Sequence, residues 1–115
     1  MSTETVERVC RLPVEYRTAD LSWRDLVSRS GWSADATLDG QLAEYLRDRP
    51  DLVDAWFGFS QDKRTSPGWY LQEDPLGGYV VGWYPGSRQD RFMDRVAACA
   101  EFIRHELGAA VGPAG

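Results

Sequence analysis

The stretch WFGFSQDKRTSPGWYLQEDPLGGYVVGWY, residues 56–84, holds eight of the fourteen aromatic residues in this 115-residue chain: Trp56, Phe57, Phe59, Trp69, Tyr70, Tyr79, Trp83 and Tyr84. Each aromatic ring buries a large area, so a block this dense organises a core or an interface. Within it, GWYLQED reads as a strand, DPLGG as a turn and YVVGWY as a second strand. Two such runs around a short Gly-rich loop predict an antiparallel hairpin. Period-two alternation puts Tyr79, Val81 and Trp83 on one face, and Val80 and Tyr84 on the other. Both faces are apolar. Either one packs on helices while the other stays available, or both are covered.

Upstream, the apolar spacing turns helical. Ser22 caps a helix over about 22–30, with Asp25 three residues on, Trp23, Leu26 and Val27 on one face, and Gly31 as its stop. Leu38, Leu42, Tyr45 and Leu46 follow i, i+4, i+7, i+8 and predict a second helix, with Thr37 as its cap and its end before Pro50. Pro50 and Asp51 suit the first turn of a third, over about 50–58, stopped by Gly58. Downstream, PGSRQD reads as a loop. Phe92, Val96, Cys99, Ile103 and Leu107 predict a long last helix over 89–107, capped by Ser87 or Asp90.

Residues 9–16, VCRLPVEY, partly alternate. They read as a short edge strand, where Pro13 is tolerated, or equally as an ordered arm. Residues 1–8 and 108–115 read as flexible ends. The elements segregate along the chain, so the expected class is α+β: three N-terminal helices, a hairpin with a possible third strand from 9–16, and a long C-terminal helix, in a single domain over 1–115.

Charge is uneven. The chain carries 18 acids against 13 bases, a net charge of −5, and twelve of the bases are Arg. From Asp35 to Asp62 there are seven acids and only Arg47 and Arg49; counting Lys63 and Arg64 reduces that excess. A solvated helical face accounts for such a run. An acidic patch that steers a cationic partner accounts for it too. The sign of the charge argues against nucleic acid or an anionic membrane as partner. No run of about 18 apolar residues predicts a membrane span, and Glu4 and Glu7 near the N-terminus argue against a secretory signal, so a cytoplasmic chain is expected, with Cys10 and Cys99 reduced.

Catalytic patterns are missing from the sequence. His105 is the only histidine, expected at the surface near the end of the last helix. With one His and two distant Cys no zinc tetrad assembles, and no metal or other cofactor is expected. Glu73 and Asp74 could do acid–base work only in a cleft, and at a hairpin end carboxylates are solvated. The chain is therefore expected not to be an enzyme.

WFGFSQDKRTSPGWYL (56–71), YVVGWY (79–84) and FMDRVAACAEFIRHEL (92–107) together resemble small bacterial immunity proteins of polymorphic-toxin and contact-dependent inhibition systems. The resemblance spans about Leu21 to Leu107. It implies a monomeric, stoichiometric inhibitor that blocks a cognate toxin with a basic surface, and does so without catalysis. The candidate contact residues are Asp48, Asp51, Asp54, Asp62, Glu73 and Asp74, with Trp69 and Tyr84 as aromatic anchors. The alternative is another protein-binding module, such as a secretion chaperone or a phage-derived inhibitor.

Overall fold

A computed structural model of the chain describes residues 3–32, 38–62, 68–86 and 89–110. Among these residues the order is α1 (Thr3–Cys10), α2 (Leu12–Thr18), α3 (Trp23–Arg29), α4 (Leu38–Arg47), α5 (Pro50–Asp62), β1 (Gly68–Glu73), β2 (Tyr79–Tyr84), β3 (Gln89–Phe92) and α6 (Arg95–Ala110). The class is α+β, with an antiparallel sheet in the order β1-β2-β3 and a long C-terminal helix.

Two helices, α1 and α2, occupy most of residues 3–18, and the edge strand considered for 9–16 is not formed. Val6, Val9 and Cys10 are buried at i, i+3, i+4, a helical stripe that runs through the polar N-terminal end. Pro13 sits in the first turn of α2, where a missing N–H goes unnoticed. Val14 and Tyr16, two points of the apparent alternation, are exposed. Trp56 Nε1 donates to the Cys10 carbonyl at 3.0 Å and ties the end of α1 to α5.

Helix α3 starts where the sequence puts it. The backbone N–H of Asp25 donates to Ser22 Oγ at 3.2 Å. Gly31 follows with a φ of 83°, the left-handed conformation that glycine adopts freely. In α4, Leu42 and Leu46 are buried as their spacing requires. The expected cap, Thr37, lies outside the described residues. Helix α5 continues past Gly58 to Asp62. A helical glycine costs about 1 kcal/mol relative to alanine. That is outweighed by the packing of Phe59 against Trp23, ring centroids 4.3 Å apart, and by the full burial of Ser60.

The third strand comes from 89–92, read from sequence as the start of the last helix. Phe92 pairs with Tyr79 and Asp90 with Val81. Two strands make a marginal sheet, and β3 supplies the third. Helix α6 begins at Arg95, where Asp94, not Asp90, caps it: Asp94 Oδ1 accepts from the Val96 N–H at 3.0 Å. The other expected cap, Ser87, lies outside the described residues.

Register fixes the faces of the sheet. Trp69↔Trp83, Leu71↔Val81 and Glu73↔Tyr79 are cross-strand pairs, and Leu71 and Val81 point into the core. Trp69, Glu73, Tyr79, Trp83, Asp90 and Phe92 therefore share the side on which α5 and α6 pack. Tyr70, Gln72, Val80, Tyr84, Gln89 and Arg91 share the other. Helix α6 is the central element, touching α3, α4, α5 and all three strands. Its buried residues include Ala98, Cys99, Phe102, Ile103 and Leu107. Phe102 meets Trp56 edge-on at 6.0 Å, and Trp56 in turn meets Trp23 and Phe59. Leu71 N–H points off the β1 edge and donates to Ser60 Oγ at 2.7 Å, so α5 satisfies that edge where it passes.

Candidate protein-contact surface

The aromatic block divides between core and surface. Trp56 and Phe57 are buried, and Phe59 and Tyr79 pack against the core. Trp69 is half-buried: its ring stacks on His105 with centroids 3.9 Å apart and meets Trp83 edge-on at 5.5 Å. His105, expected at the surface, is only 12% exposed at its side chain, and its Nε2 lies 2.8 Å from Glu101 Oε1. Trp69 thus serves largely to seal the sheet against the last turns of α6. Tyr84 is 55% exposed, beside an exposed Trp83.

The other end of the sheet is the hairpin tip. Gly77 N–H donates to the Asp74 carbonyl and Asp74 N–H to the Gly78 carbonyl, both at 2.9 Å. Leu76 N–H donates to Asp74 Oδ1, also at 2.9 Å. Gly77 and Gly78 have φ of 107° and 83°. A Cβ at Gly78 would lie 2.8 Å from the Phe92 carbonyl oxygen and 3.2 Å from Met93 Sδ. Only glycine lets the turn lie this close to the exit of β3. Leu76 is 91% exposed and Met93 85%.

Ion pairs surround the tip. Asp74, only 12% exposed at its side chain, pairs with Arg91. Arg47 Nη2 donates to Asp94 Oδ2 at 2.6 Å. That bond, helped by the Val96 and Ala97 N–H groups, holds the Asp94 carboxyl below the usual carboxylate range. Arg95 pairs with Asp54, and its guanidinium lies 4.6 Å from the Phe57 ring centroid. Arg49 binds both Asp51 oxygens, at 3.1 and 3.0 Å, which lowers the Asp51 carboxyl as well. The four residues Arg91, Met93, Asp94 and Arg95 thus lie at a junction of the hairpin tip, the end of α4 and the start of α5.

The eight residues singled out from sequence do not form one patch. Glu73 and Asp74 lie at the tip, and Asp54 joins them through Arg95, Phe57 and Tyr79. Asp48 and Asp51 flank the start of α5 at the same junction. Trp69 and Tyr84 lie at the opposite end, about 17 Å away over five strand steps. Asp62 is two residues beyond Ser60, which meets Leu71, and so sits towards Trp69. Asp54, Asp51 and Asp74 are each neutralised by an arginine. Asp35, Lys63 and Arg64 lie outside the described residues.

Leu76, Met93 and the arginine partners were not singled out from sequence. For Leu76 a signal was present: a leucine between Pro75 and Gly77-Gly78 occupies a turn, where no core is within reach. Met93 carried none while 89–107 read as one helix.

Elsewhere, a cavity of about 380 Å³ lies among α1, α2 and α3, lined by Arg8, Leu12, Glu15, Leu21, Leu26 and Arg29 as well as Ser30. It holds no aromatic ring and no nucleophile–base pair. Both cysteines are free and buried. Burial pushes the Cys10 thiol up to about 12, and raises Cys99 as well. Protonated buried thiols are poor nucleophiles. Among the described residues no group of three or more His, Cys, Asp or Glu side chains could hold a metal ion, and no helix is long and apolar enough to cross a membrane.

No protein-family model, no curated protein and no solved structure matches the chain.

Proposed function

We propose that this chain is a toxin-neutralising immunity protein that acts by stoichiometric binding, without turnover, on a cognate toxin domain with a basic surface. One observation carries the reading: two large apolar side chains, Leu76 and Met93, remain in solvent at one end of the sheet while the core behind them is closed. Rigidly held apolar groups lose little entropy on contact, which favours recognition of a folded partner. The sequence resemblance over 21–107 names the class of partner, and the net charge of −5 suits a cationic one.

The test is protection. The genes adjacent to this one are expressed singly to identify a product that kills; cells producing it are expected to grow when the chain is co-expressed, and the two proteins to co-purify as a complex. Unchanged killing, with the chain present and folded, counts against the reading.

A further inference from the structure

We infer that the hairpin-tip end of the sheet, and not the Trp83–Tyr84 end, is the surface that docks, and that it takes a folded protein presenting an apolar slot rimmed by lysine or arginine. This inference rests on the binding role proposed above and assigns its geometry.

Leu76 and Met93 are the two most exposed large hydrophobic side chains among the described residues. They belong to different elements, yet the close approach of Gly78 to Met93 Sδ places them at one end of the molecule. An apolar pair held in solvent at a tight turn has no packing role within the chain. Protein interfaces place such groups at their centre, with a polar rim that keeps water out. Methionine adapts its shape to a partner, and a leucine on a turn fixed by three hydrogen bonds inserts without first being ordered.

The charge of the rim selects the partner. Arg47, Arg49, Arg91 and Arg95 are matched by Asp94, Asp51, Asp74 and Asp54. Asp48 and Glu73 have no ion pair among the described residues and are exposed, which leaves two surplus negative charges around the apolar pair. A cationic rim complements that surplus. A second copy of this chain would bring the same negative surplus against itself, which disfavours self-association through this end. The rim charges act on encounter and the apolar pair on dissociation.

The experiment measures binding of the full chain to a catalytically silenced variant of the toxin against which it protects, by biolayer interferometry at two salt concentrations. Leu76→Ala combined with Met93→Ala is expected to weaken affinity by about 30-fold or more, mainly through faster dissociation. Asp48→Asn combined with Glu73→Gln is expected to slow association by about tenfold at low salt and to flatten its salt dependence. Tyr84→Ala, at the far end, is expected to bind as wild type does. All these positions are exposed, and thermal melts verify that the variants fold. Wild-type affinity in the Leu76/Met93 variant, or a loss confined to Tyr84→Ala, overturns the assignment and leaves the binding role standing. A wild-type chain that neither binds nor protects overturns both. Sedimentation showing a dimer that the Leu76/Met93 change dissolves would give the surface to a second copy and overturn the choice of partner.

Discussion

Asp94 stands where β3 hands the chain to α6, and two different bonds hold it there. Its Oδ1 caps the helix at the Val96 N–H, and its Oδ2 accepts from Arg47. Asp94→Ala removes both. The lost cap alone costs about 1 kcal/mol, and the partly exposed ion pair adds little, since exposed pairs are worth about 0–1 kcal/mol. Asp94→Asn keeps a capping oxygen and is expected to lose less. The Asp94 carboxyl is held below its ordinary value in the folded state. Its contribution is therefore complete above the unfolded carboxylate pKa of about 3.9 and fades as pH falls through the lower folded value. Urea titrations at pH 7 should separate wild type from Asp94→Ala, and the gap should narrow in strong acid, where the charge is lost but a capping oxygen remains. A gap independent of pH would show that the charge on Asp94 contributes nothing. Ser60 is a second single-residue hinge of the fold: its hydroxyl is fully buried and meets an N–H of the β1 edge that no neighbouring strand satisfies.

At the scale of elements, propensity and context part company in two places. The stretch from Gln89 to Phe92 can join a helical stripe, because Phe92 falls in step with Val96, Cys99 and Ile103. It becomes a strand because Phe92 gains Tyr79 as a neighbour across the sheet, and because a two-stranded hairpin needs a third strand. Residues 9–16 go the other way. Four apolar residues and a proline mimic an edge strand, yet the buried set is helical and Pro13 opens α2. Where the elements agree with propensity they can be improved. Gly40 lies in α4, exposed, and a Cβ there would meet nothing within 4 Å. Gly40→Ala is expected to stabilise the protein by up to about 1 kcal/mol, read as a higher midpoint in urea with an unchanged slope. An unchanged or lower midpoint would mean that α4 is not helical at that turn.

For the whole molecule, the core closes around α6, and both cysteines are inside it. Cys10 ends α1 and Cys99 lies on α6, and burial holds both thiols protonated at neutral pH. Ellman's reagent is therefore expected to label neither cysteine in the native protein and both in guanidinium. Rapid labelling of the native chain would mean that the core around α1 or α6 opens readily. Charge is also organised at this scale. The acidic excess read along residues 35–62 is partly matched in space by Arg95, which pairs with Asp54 from far away in sequence. Beside the exposed Leu76 and Met93, Asp48 and Glu73 have no ion pair among the described residues.

The sequence by itself determined the class of fold, the hairpin and its register of faces, the start of α3, the core face of α4 and most of the α6 stripe. These follow from local periodicity and from caps and turns, whose physics is complete within a few residues. Only the tertiary structure decided that β3 is a strand, that Trp69 lies against His105, and that Leu76 and Met93 share one end. Each of those outcomes depends on a partner distant in the chain: Tyr79 for Phe92, α6 for Trp69, the Gly78 turn for Met93. Periodicity tells a residue which way to face, but not which residue it will meet there.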